Sequence, residues 1–197
     1  MKQPGYALLE VEKLQAGTPY YHPENQPEVV NLDSPALDVL TDFKSRPPAC
    51  ISADKTIHEA LAQMKIEGVK SLLVTEGEED IIIGLISARD IQGARPGIIA
   101  QQNGINLSEV TVRLAMIPVE DIYTINLEYL SNARVGHIVR LLEEKHINYL
   151  LVVEHLKFDS GEIVRGIFSA SRIGRQLDAF VGGDLSSGTL ADINKRI

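Results

Sequence analysis

Apolar positions along this 197-residue chain follow a helical period and then a strand-like run, and they do so twice. Ile57, Ala60, Leu61 and Met64 stand at i, i+3, i+4 and i+7, the spacing of one buried helix face within Thr56–Gly68. Thr56 and Glu59 form a capping-box pattern at its start, and Gly68 supplies a left-handed terminator. Val135, Ile138, Val139 and Leu142 repeat the spacing, each displaced by 78 positions. The runs SLLVT (Ser71 to Thr75) and YLLVV (Tyr149 to Val153) keep the same displacement and predict buried strands. A turn follows each run, EGEED at 76–80 and the longer EHLKFDSGE at 154–162. Strands are then expected at Ile81 to Ile86 and Ile163 to Phe168.

The second strand of each set opens a near-copied phrase, GLISARDI from Gly84 and GIFSASRI from Gly166. The phrases pass into a second helix, so each half reads strand–helix–strand–strand–helix. The period is too long for a solenoid and predicts a pseudo-symmetric pair sharing one core. At the seventh position the first copy has Asp90 and the second Arg172, a reversal of charge.

The remaining segments are read by their punctuation. Asn31 to Pro35 is a helix-start signal with Ala36 to Phe43 following, Gln92 to Ile105 reads as connector, and Ser108 to Met116 as a short helix ending before Pro118. The expected layout is an arm and short helix at 1–40, a first repeat at 41–92, a connector at 93–121, a second repeat at 122–182 and a tail at 183–197. The arm, with four prolines up to Val30 and a strand-like Tyr6 to Leu14, is expected to pack on the core or on a partner.

Composition narrows the function classes. With 44% hydrophobic residues the chain can bury a sizeable core, and a net charge of −8 argues against nucleic acid or an anionic membrane as the main partner. Cys50 is the single cysteine, which excludes an intramolecular disulfide and a cysteine-based zinc site. No apolar run reaches signal-peptide or membrane-spanning length, so a cytoplasmic location is expected. No Walker loop, G-x-S-x-G or H-E-x-x-H is present, and no catalytic or metal-binding residue is assigned. His137 and His146, read in one helical stretch, are about half a turn out of phase and cannot share a metal. The acidic run Glu76, Glu78, Glu79 and Asp80 reads as a solvated turn.

The segments Gly68 to Ile91 and His146 to Ile173, in this order and duplicated, resemble the cystathionine β-synthase (CBS) domain, whose tandem pair is called a Bateman module. The likeness covers roughly Phe43 to Phe180 and implies an α/β fold of the α+β type, two βαββα repeats packed as a pair with an N-terminal arm, as a stand-alone CBS-pair protein. It also implies a non-catalytic regulatory module that binds an adenosyl ligand (AMP, ADP, ATP or a relative) between the repeats, forms a homodimer and signals to an unidentified partner protein, with no catalytic cofactor. The alternative is a ligand-free scaffold that uses the pair for dimerisation.

Carried over residue by residue, the resemblance places Ser87, Asp90, Lys70 and Ser71 on the phosphate and ribose side. It places Asn126, Ile147, Asn148 and Tyr149 on the adenine side. The chemistry agrees for Ser87, at a strand-to-helix junction where free N–H groups favour phosphate, and for Asp90, which can accept from a ribose diol. The same Ser-x-x-Asp is also a helix cap, and the two roles are compatible. A second cleft, with Ala49, Cys50, Val69, Ser169 and Arg172, departs from the pattern and reads as degenerate, because a guanidinium only donates. There Arg172 fills the cleft, pairs with an acid or grips a phosphate of the ligand next door, and in each case Ser169 caps its helix.

Overall fold

The computed structural model describes residues 29–77, 81–155 and 161–181, with side chains to 177; residues 1–28 of the expected arm and the tail from 182 lie outside that range. Two four-stranded sheets form the centre. The first joins β2 (Cys50–Ser52), β3 (Ser71–Glu76), β4 (Ile81–Ser87) and β5 (Ile117–Pro118) in the order β2-β3-β4-β5. The second joins β1 (Thr41–Asp42), β6 (Thr124–Asn126), β7 (Tyr149–His155) and β8 (Glu162–Ser169) in the order β1-β8-β7-β6.

Each half has the expected alternation. Helix α1 (Ile57–Glu67) starts at a complete Thr56–Glu59 capping box and ends at Gly68, whose φ is 66°. After β4, α2 (Ala88–Gln92) begins; in the second half α5 (Val135–Glu144) and α6 (Ala170–Val181) take the corresponding places. The copies agree even in their irregularities. The β3–β4 pairing shifts register between Val74 and Thr75, and the β7–β8 pairing between Val152 and Val153.

The first strand of each sheet's far edge is exchanged. β1 lies at the very start of the stretch read as the first repeat but pairs antiparallel with β8 of the second, Thr41 opposite Ile167. β5 precedes the second repeat but pairs with β4 of the first, Leu85 opposite Ile117. The approaches are reciprocal: Val135 and Gly136 donate to the Ser34 and Leu32 carbonyls, and Val112 and Arg113 donate to those of Lys55 and Ala53. The glycine that opens each copied phrase makes room for the incoming strand. A Cβ on Gly84 would stand 2.6 Å from the Ile117 carbonyl oxygen, and one on Gly166 would stand 2.5 Å from that of Thr41.

Packing follows the exchange. Val30, Ala36, Val39 and Leu40 are buried with Val135, Ile138, Leu150 and Phe168 of the second repeat. Ala100, Val110, Val112 and Ala115 are buried with Ile57, Met64, Leu72 and Ile86 of the first. Leu73 and Leu85 meet Leu151 and Ile167 in a third cluster that joins the two sheets.

Four local expectations are corrected. Ala36 onward is a single 3-10 turn, Ala36–Val39, because the chain then extends into β1 and pairs with β8. The connector contains α3 (Arg95–Asn103), with Pro96 in its first turn and Gly104 closing it at φ 63°, so the Pro and Gly there start and stop a helix. The stretch from Ser108 divides into a 3-10 turn, Leu107–Glu109, and α4 (Val112–Ala115). His146 lies beyond the end of α5 at φ 54°, so it shares no helix with His137.

Candidate functional site

Two of the hollows where the repeats meet have nearly equal volumes, about 130 and about 140 Å³. The first is lined by Ser87 and Asp90 from the β4–α2 junction and by Ile147, Asn148 and Tyr149 from the start of β7. Ser87 is buried at 1% exposure at the end of β4, with Asp90 one turn into α2. The Ser87 backbone N–H donates to Asp90 Oδ2 at 3.0 Å and its hydroxyl to the same oxygen at 2.6 Å, while the Asp90 N–H donates back to Ser87 Oγ at 3.3 Å. The capping pattern therefore forms, and it uses one carboxylate oxygen. Oδ1 makes no hydrogen bond among the described residues. Burial raises the Tyr149 phenol above its ordinary value; the Ser87 hydroxyl partly offsets this, and the Asp90 charge adds to the rise.

The structure brings together five of the eight residues expected at this cleft. Lys70 and Ser71 line the second cleft instead. Symmetry explains this: Lys70 and Ser71 correspond, 78 positions earlier, to Asn148 and Tyr149. The Lys70 carbonyl accepts from Ala88 N–H and that of Asn148 from Ala170 N–H, both at 2.9 Å. Each pair thus serves the cleft headed by the other repeat's helix. Asn126 is also absent from the first cleft; its Oδ1 accepts from Glu128 N–H at 2.9 Å and caps a 3-10 turn.

Sequence reasoning missed Asp121, Tyr123 and His146, which also line the first cleft. Only for His146 was there a signal, its correspondence with Gly68 of the second cleft. Lys145 adds a cation over the Tyr123 ring, 5.8 Å from its centroid. The Asn148 side-chain oxygen accepts from Arg89 Nη1 at 3.3 Å.

The second cleft gathers Ala49, Val69, Ser169 and Arg172 as expected, and with them Arg46 and Arg175. Cys50 is not on its wall; its thiol faces the Pro48 carbonyl at 3.7 Å and it packs at the joint between the sheets. Arg172 Nη1 donates to Thr41 Oγ1 at 3.0 Å, so the exchanged strand β1 helps fix its direction. Where Ser87 closes onto Asp90, Ser169 stands 3.1 Å from Ser171 Oγ; the hydroxyl expected to cap α6 is engaged there.

Against known proteins, residues 38–97 match the CBS domain family. That stretch is a CBS domain. The chain's CBS-pair fold is similar to that of an uncharacterised conserved protein from Pyrococcus horikoshii, at 19% identity and TM-score 0.52, covering 81% of this chain and 100% of the other. It is also similar to the CBS domain of a bacterial CNNM/CorC family Mg2+ transporter solved with an inhibitor. That match has 16% identity and TM-score 0.50, covering 79% of this chain and 81% of the other. No curated protein matches the chain by sequence. Among the described residues no helix is long and apolar enough to cross a membrane, and no cluster of three or more His, Cys, Asp or Glu could hold a metal.

Proposed function

We propose that this CBS pair is a non-catalytic regulatory module that takes the nucleoside part of an adenosyl ligand in the cleft headed by Ser87 and Asp90. The observation that carries the reading is the convergence of Asp90, with Oδ1 unengaged among the described residues, and Ile147, Asn148 and Tyr149 from the opposite repeat. Asp90 accepts from the vicinal hydroxyls of a ribose, and a charge-assisted bond of this kind contributes about 1.5–3 kcal/mol. Ile147 and the Tyr149 ring offer apolar surface to the base, and Asn148 a polar contact. Asp90 and Asp121 line this cleft, and Lys70 faces the other, so adenosine rather than its phosphates is the shared element of the ligand. The ligand bridges the two repeats and signals by stabilising their packing. A homodimer and a cytoplasmic partner protein complete the proposal.

A scaffold role has one observation in its favour, namely that Asp90 already serves as a helix cap. Calorimetry and thermal shift with adenosine, AMP and S-adenosylmethionine separate the two, since a ligand that binds the native state raises apparent stability. Asp90→Asn retains an oxygen for the Ser87 N–H but loses the charge, and should weaken binding ten- to a hundredfold in a folded protein. No shift at millimolar ligand, or undiminished affinity in the variant, would leave the scaffold reading standing.

A further inference from the structure

The second cleft lacks a carboxylate at the ribose position, and what replaces it is a concentration of positive charge. Arg172 occupies the place of Asp90, and Arg46, Lys70 and Arg175 line the same cavity of about 140 Å³. Glu67 is the one carboxylate on its wall, and its Oε1 accepts from Gln63 Nε2 at 2.8 Å. Four cations against one carboxylate leave three net positive charges, in a chain whose overall charge is −8.

These cations come from three separate places in the chain. Arg46 precedes β2 and donates to the Glu67 carbonyl at 3.0 Å; Lys70 precedes β3; Arg172 and Arg175 stand three apart on α6. Among the described residues Arg46, Lys70 and Arg175 form no salt bridge. Burial pushes the Arg172 guanidinium down from its ordinary value, and repulsion from Arg175 and Arg46 pushes it further. Like charges held together in a partly desolvated cleft repel one another, and an anion placed among them removes that cost.

We propose that this cleft is a separate binding site for an inorganic oligophosphate, with pyrophosphate as the matching size and charge. Guanidinium forks grip phosphate oxygens in pairs, and the hydroxyls of Ser71, Ser169 and Ser171 add neutral donors at the same wall. Pyrophosphate carries roughly three negative charges near neutral pH, which balances the lining. A nucleoside gains nothing here, because the position that would accept its ribose hydroxyls bears Arg172. The inference goes beyond the adenosyl reading and does not depend on it.

Isothermal titration of the full chain with sodium pyrophosphate at two salt concentrations tests it. One site per chain is expected, weaker at the higher salt. Arg172→Gln and Lys70→Gln should each cut the affinity at least tenfold, and Asp90→Asn should leave it unchanged. Adenosine should not compete. Failure of adenosine to bind with pyrophosphate binding intact would remove the adenosyl proposal and keep this one. Silence with millimolar pyrophosphate, or unaltered affinity in both cation variants, would overturn it. So would AMP affinity that falls with Arg172→Gln while pyrophosphate alone gives no heat; the cations would then hold the phosphate of the neighbouring ligand.

Discussion

Gly68 and His146 occupy the same place in the two repeats, 78 positions apart, and both take a left-handed backbone, at φ 66° and 54°. Each follows the first helix of its repeat and lines one of the two clefts. Glycine adopts that conformation without strain, whereas a residue with a Cβ is penalised by about 1–2 kcal/mol. His146→Gly should therefore stabilise the fold by roughly 0.5–1 kcal/mol once glycine's extra unfolded-state entropy is subtracted. Chemical denaturation checks this. A midpoint that falls would mean the exposed imidazole supplies a stabilising contact that outweighs the strain.

Gly84 and Gly166 are required by space. Alanine at either would drive a methyl to 2.6 or 2.5 Å from a backbone oxygen of the exchanged strand. Gly166→Ala and Gly84→Ala are each expected to destabilise by about 1–3 kcal/mol, the usual cost of overpacking. Melting temperatures equal to that of the parent protein would show that β1 and β5 can move outward freely.

Asp42 on β1 and Arg165 on β8 form a two-pronged pair, 2.8 and 2.6 Å, and Arg165 Nη1 also donates to Glu154 at 3.1 Å. The Arg165 guanidinium holds the Asp42 carboxyl below its ordinary 3.8, and Lys44 and Arg165 hold Glu154 below 4.5. At the cap of α1, Glu59 is drawn down to about 2, first by the Thr56 backbone N–H. Depressed carboxylates contribute stability that is complete above their unfolded values and lost as pH falls through the folded ones. Stability should decline from about pH 5 toward pH 2, and the decline should be shallower in Asp42→Asn. Parallel pH profiles for the two proteins would show that the pair is not coupled to folding.

Much of this architecture is legible in the sequence. Helix α1, β3, β4 and their copies were visible because each is set by a local period and bounded by its own caps. The two-residue β1 was not, because its hydrogen bonds go to Ile167 and Gly166, far along the chain. α3 was hidden because Pro96 and Gly104 punctuate a loop and a helix equally well. At the clefts, the meeting of Ser87 and Asp90 with residues 147–149 followed from the repeat. The opposite charge of the two clefts did not. It depends on which side Lys70 leaves the sheet, and on Arg46 and Arg175 reaching the same hollow.

Arg172→Asp would write the first repeat's word into the second. An acid at that helical position can accept from the Ser169 N–H and favours the positive end of α6. The variant should gain about 0.5–2 kcal/mol if Ser169 turns from Ser171 to complete a capping box, and it should lose pyrophosphate binding altogether. Thermal melts and titration read the two effects separately. A variant that still binds pyrophosphate as the parent does would contradict the charge assignment of the cleft.

The exchanged strands have a consequence for anyone who would divide the molecule. A fragment cut at 38–97, the stretch matched by sequence to one CBS domain, carries β1 away from β8 and leaves β5 behind. It would own a strand with no neighbour and bare the edge of β4 at Gly84 and Leu85, a surface that recruits other chains. The smallest piece able to close both sheets runs from before β1 to the end of β8. In this protein the repeat of the sequence is half a phrase, and the unit that can be inherited, transplanted or expressed alone is the pair.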